Sequence, residues 1–200
     1  MSFLKKIKIN IDYLLGKADP SLYAKGHKNS NLILQDWQKR WEIFSDNGCG
    51  FVWYGVDSEG NLAEFACDET HIPEAFFNNV SENNKLKSFI DTLPEITSTR
   101  LPENLRPELK RLAQKLSGTN DFWKKGANKG LFIFEETDEH YRCWNQTKNP
   151  YELFLIPDTS LKIKNLPYRI QQLLKPYHFE NLHFRDCQFL DVSKYLFCEE

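Results

Sequence analysis

The sequence predicts an α+β fold with a mainly antiparallel sheet, on three observations. A strong hairpin pattern opens the second quarter of the chain. A helical, proline-punctuated middle follows it. The strand-like segments then return together in the last third, and do not alternate regularly with helices as a doubly wound parallel sheet requires. The chain of 200 residues is long enough to bury most of its apolar surface in one domain spanning residues 1–200. Fifteen Phe, eight Tyr and five Trp against one Met imply a core built from rigid rings.

Taken in order, residues 1–15 read as an amphipathic helix. Phe3, Leu4, Ile7, Ile11, Leu14 and Leu15 fall on one stripe, with Lys5, Lys6, Lys8 and Asp12 off it. Such a helix docks on its own domain or on a partner. Gly16 to Ser30 is loop-like. Asn31 to Phe44 carries Trp37, Trp41 and Phe44 at helical spacing, and Asp46-Asn47-Gly48 ends it. The hairpin then runs from Phe51 to Val56 and from Leu62 to Cys67, joined by Asp57-Ser58-Glu59-Gly60-Asn61. Its first strand, "FVWYGV", is apolar on both faces. It is therefore expected to be central and covered on both sides, or else to show Trp53 or Tyr54 to a partner.

Helices are expected over Pro73 to Val80, Glu82 to Leu93 and Pro107 to Leu116, with a short piece at Asp121 to Lys125. Pro107 suits a first helical position, where its missing N–H costs nothing, and Gly118 suits a C-terminal cap. Strands are expected at Leu131 to Phe134, Tyr141 to Asn145, Tyr151 to Ile156 and His183 to Leu190. A helix from Pro167 to Leu174 interrupts them, stopped by Pro176.

Several functions are disfavoured at this level. The net charge of −2 and pI near 6.2 give no basic field for holding DNA or RNA directly. No run approaches the length of a membrane span, and no apolar signal region opens the chain. Five scattered cysteines without a Cys-x-x-Cys pair do not form a zinc or thioredoxin-like motif, and with no signal peptide they point to a reducing cytoplasm. The nucleotide-binding, zincin and nucleophile-elbow motifs are absent. No residue is assigned a catalytic or metal-binding role, and no cofactor is expected. The run Glu135 to His140 lacks the glycine and alternating ligands of a calcium loop.

The charge pattern says more. Between Asp57 and Glu82 the chain carries Asp57, Glu59, Glu64, Asp68, Glu69, Glu74 and Glu82 without one Lys or Arg. The helical segment from Arg100 to Lys125 reverses the sign. An acidic face of this kind can steer a basic protein partner and enforce specificity. Asp57, Glu59, Glu64, Asp68 and Glu69 are the expected electrostatic rim, with Tyr54 as an aromatic anchor.

The stretches "FVWYGVDSEGNLAEF", "PYELFLIPDTSLKIKNLP" and "LHFRDCQFLDVSKYL" resemble small bacterial cytoplasmic proteins of the toxin-immunity type. That resemblance implies a non-enzymatic protein that neutralises a partner toxin by occlusion. Two other readings stand beside it. One is a hydrolase or transferase with a site around Cys67 and His71, whose residue types suit nucleophilic catalysis. The other is a scaffold or regulatory protein docking through the helix of residues 1–15.

Overall fold

Alternating side chains on two adjacent apolar runs, with a Gly-Asn pair closing the turn between them, make the hairpin the first element of the sheet. A computed structural model describes residues 51–67, 80–116, 122–136 and 151–192. In it β1 (Phe51–Val56) and β2 (Leu62–Cys67) pair antiparallel, from Phe51 opposite Cys67 to Val56 opposite Leu62. The other strands are β3 (Thr99–Arg100), β4 (Phe132–Glu136), β5 (Tyr151–Pro157) and β6 (Phe189–Leu190). The sheet order is β1-β2-β4-β5-β3, with β6 also on β5. Four of the five pairings are antiparallel; β2 with β4 is parallel. A parallel pair needs a long crossover, and the segment between β2 and β4 supplies it with the helices of the middle region.

The described helices are α1 (Val80–Thr92), α2 (Pro107–Leu116), α3 (Phe122–Asn128) and α4 (Tyr168–Leu174). Pro107 stands at the first position of α2, as its fixed φ favours. In α1, Leu86 and Ile90 are buried one turn apart, while Lys85–Glu82 and Lys87–Asp91 pair along its outer side at 2.6 and 2.8 Å. Lys129 Nζ donates to the carbonyls of Ile90 and Asp91, both at 3.0 Å, closing the C-terminal end of α1. Pro94 follows, and cannot continue the helix.

Two cores lie on the two faces of the sheet. One is aromatic: Trp53, Phe65, Phe134, Tyr151, Phe179 and Phe184 pack ring on ring, closed over by the chain from Tyr177 to Val192. Trp53 stacks on Phe65 with centroids 4.1 Å apart and donates through Nε1 to the Tyr151 hydroxyl at 3.1 Å, so its one polar atom is satisfied. The other core is largely aliphatic: Val56, Leu62, Ile133 and Leu155 meet Leu86 and Ile90 of α1, Leu109 of α2, Ala127 of α3, and Ile170 and Leu174 of α4. β5 is buried along its whole length. Its one charge, Glu152, accepts from the Arg106 guanidinium and, at 3.3 Å, from the Arg106 backbone N–H.

Three expectations need correction. β1 is first in the strand order rather than central, yet both its faces are covered: Trp53 is 1% exposed and Tyr54 3%. Neither ring is shown to a partner. The expected strand from His183 to Leu190 is instead a 3-10 turn, Phe184–Asp186, followed by the two residues of β6. Thr99–Arg100 forms a strand where none was expected, because β5 offers it a backbone edge. The expected helices of residues 1–15, 31–44 and 73–79, the cap at Gly118 and the strand at 141–145 lie outside the described residues. Among the described residues no helix is long and apolar enough to cross a membrane.

Candidate interaction surface

The tip of the β1–β2 hairpin is built around one interior carboxylate. Asp57 Oδ1 accepts from the backbone N–H of Glu59 at 3.0 Å and of Asn61 at 2.8 Å. Asp57 Oδ2 accepts from Asn61 Nδ2 at 2.8 Å and from the backbone N–H of Phe184 at 3.1 Å. An Asp accepting from the N–H two residues on is the Asx-turn, and its local part is written in the Asp-Ser-Glu-Gly-Asn string. Gly60 adopts φ +78°, a left-handed conformation that glycine enters without penalty.

Two distant segments are tied to this turn. From one side, Ile163 N–H donates to the Gly60 carbonyl at 2.8 Å, Leu62 N–H to the Leu161 carbonyl at 3.0 Å, and the Ser160 hydroxyl to Asn61 Oδ1 at 2.6 Å. From the other, Ser58 donates to the Leu182 carbonyl through both N–H and hydroxyl at 2.9 Å, and Phe179 N–H donates to Val56 at 2.7 Å. The tip is thereby clamped between residues 160–163 and 179–184.

What this clamp presents to solvent is small and polar. Ser58, Glu59 and His183 are exposed. Glu59 lies at their centre: its carboxylate is 3.6 Å from His183 Nδ1 and 3.8 Å from Lys162 Nζ, and accepts from Asn61 Nδ2 at 3.3 Å. Exposed pairs of this kind contribute about 0–1 kcal/mol each. They orient the surface more than they stabilise the fold.

Of the expected rim, only Glu59 is placed on this surface. Asp57 is fully buried, Glu64 is 3% exposed and Tyr54 3%, so these three cannot form a solvated rim. Asp57 is drawn inward by the turn it organises. Glu64 and Tyr54 are drawn inward because strand alternation puts both on the face covered by helices, where they stand directly opposite each other. Asp68 and Glu69 lie outside the described residues. The period-two pattern of "LAEFAC" was the available signal for Glu64, since its neighbour at i−2 is the core residue Leu62.

The same geometry bears on metal and nucleophile chemistry. Ligand atoms of Asp57, Glu59 and His183 lie within 4.8 Å of one another. Both Asp57 oxygens, however, are already taken by two N–H donors each. That leaves Glu59 and His183 as open ligands, short of the three or four protein ligands of a zinc site. Cys187 Sγ donates to the Phe189 carbonyl at 3.0 Å, and burial pushes its thiol up to about 11, away from the reactive thiolate. Of the Cys67–His71 pair, His71 lies outside the described residues, and so does the surrounding of the Cys67 thiol. Comparison of the chain with protein-family models, with curated proteins and with solved structures finds no match.

Proposed function

We propose that this chain works by binding another protein, and that the hairpin tip is part of its contact surface. The observation that carries this reading is the clamped turn, in which an exposed Glu59 and His183 stand on a fully bonded interior Asp57. A surface held in one shape before binding loses little conformational freedom on binding, which favours affinity. The expectation of a basic partner rests on Glu59, the exposed acid of the lysine-free stretch on this tip, since Asp57 and Glu64 are interior. The likeness to toxin-immunity proteins supplies the mode of action, occlusion of a toxin domain in the cytoplasm.

The test is affinity capture from the native cell at low salt, run in parallel with the wild-type chain and with Glu59→Lys. A single stoichiometric partner carrying a basic domain, released as salt rises and lost with Glu59→Lys, is the expected result. Equal capture by both chains overturns the assignment of the tip. Absence of any partner for the folded wild-type chain overturns the binding reading itself.

A further inference from the structure

Glu64 is the one charged residue on the β2 strand, and it points into the helix-covered core. Its Oε1 accepts no hydrogen bond; the carboxyl shares one with the Tyr54 hydroxyl across the strand pair. On the other side α3 presses against it. A Cβ added at Gly126 would lie 3.1 Å from both carboxyl oxygens and 3.1 Å from Ile133 Cδ1, so backbone rather than water fills the space above the acid. The charged groups that face it are Lys87 and Asp91 on α1 and Lys129 just beyond α3. β1 contributes Tyr54, and β4 contributes only the apolar Ile133. Lys87 is paired with Asp91 at 2.8 Å, and Lys129 is bonded to the carbonyls that end α1. Neither cation bonds the carboxyl.

We propose that Glu64 is a proton-operated latch: with its proton it lets α1 and α3 seat on the sheet, and on losing it the seam between these helices and β2 opens. The physical reason is an asymmetry of burial. A neutral acid with one hydrogen bond is tolerated in an apolar interior, whereas an ionised carboxylate with a single hydroxyl donor and one bare oxygen is not. Relief requires water, Lys87 or Lys129 to reach Oε1, which the Gly126 backbone of α3 covers. α3 is the weaker seat, since Trp123 Nε1, one turn before Gly126, is also buried without a partner. The aromatic core lies on the opposite face and is not part of the seam. The inference goes beyond the binding reading and does not depend on it.

The test follows amide hydrogen exchange of the full chain from pH 5 to 9, corrected for intrinsic rates, together with the Glu64 carboxyl carbon by NMR. Wild-type exchange in α1 and α3 is expected to rise by up to about tenfold per pH unit below pH 8 and then level. β4 and β5 are expected not to follow. The carboxyl should titrate over the same upper limit, and Glu64→Gln should abolish the rise. A carboxyl titrating in the ordinary range, exchange that is flat in the wild type, or a rise that persists in Glu64→Gln each overturns the latch. If the variant fails to fold, the wild-type carboxyl and helix midpoints decide alone, because the latch requires them to coincide.

Discussion

Asp57 and Glu64 stand seven residues apart in one hairpin and are about equally buried, yet their surroundings are opposite. Asp57 receives four N–H donors, one of them from Phe184 across the fold. Glu64 has an oxygen with none, facing the backbone of Gly126. Burial is thus not what separates a structural carboxylate from a strained one. The number of donors is. The turn supplies donors because its backbone N–H groups are not engaged in the ladder. A mid-strand position cannot, because there every N–H is already spent on a neighbouring strand.

Removing the satisfied acid should have the largest destabilising effect. Asp57→Ala leaves its donors unpaired in the interior and is expected to cost about 4–5 kcal/mol in urea unfolding. Asp57→Asn, which keeps one acceptor oxygen, should cost less than half of that. A loss under 1 kcal/mol for the alanine variant would mean the clamp does not depend on the carboxylate.

Removing the unsatisfied acid should do the reverse, and only above acid pH. Burial, more than any nearby charge, raises the Glu64 carboxyl from its ordinary 4.5 to about 8. Between those values the folded chain holds a proton that the unfolded chain has released, so folding takes one up. This group's contribution to stability therefore falls as pH rises through that window, and is level above it. Relative to wild type, Glu64→Gln is expected to be near neutral at pH 4.5 and stabilising by about 4–5 kcal/mol at pH 8.5. Denaturant unfolding at the two pH values checks the sign, and equal differences at both would contradict it.

A substitution at a third position probes the contact itself. Gly126→Ala should destabilise by about 1–3 kcal/mol through crowding against the carboxyl and Ile133. Combined with Glu64→Ala, much of that loss should disappear, which a double-mutant cycle reads as coupling. The smallest effect belongs to the exposed acid: Glu59→Lys should change stability by no more than about 0.5 kcal/mol, since its pairs are solvated. A larger loss would make the exposed tip a structural element rather than a contact surface.

Much of the framework was legible in the chain because its signals are local. The period-two pattern and the Asp-Ser-Glu-Gly-Asn turn delimit the hairpin at the observed residues, and Pro107 marks the start of α2 through its fixed φ and missing N–H. The candidate site was legible only in part. Reading a lysine-free stretch as a rim treats charge as exposure, which holds for Glu59 and fails for Asp57 and Glu64. The expected strand at His183 to Leu190 failed for a related reason. Its aromatic residues suit a strand, but the Phe184 N–H is engaged by Asp57 and the backbone turns to deliver it.

Sequence alone determined the class of fold, the hairpin with its Asp-Ser-Glu-Gly-Asn turn, and the ring content of the aromatic core, because each is carried by residue types and their local order along the chain. Tertiary structure decided the rest. Only the packed sheet sets β2 beside β4 in parallel, brings residues 160–163 and 179–184 onto the tip, and lays Gly126 over Glu64. These are contacts between residues tens of positions apart, and no periodicity encodes which donor reaches which carboxylate. That choice is made when the segments pack, and it is why one acid of the hairpin became its keystone while the other was left with an unpaired oxygen.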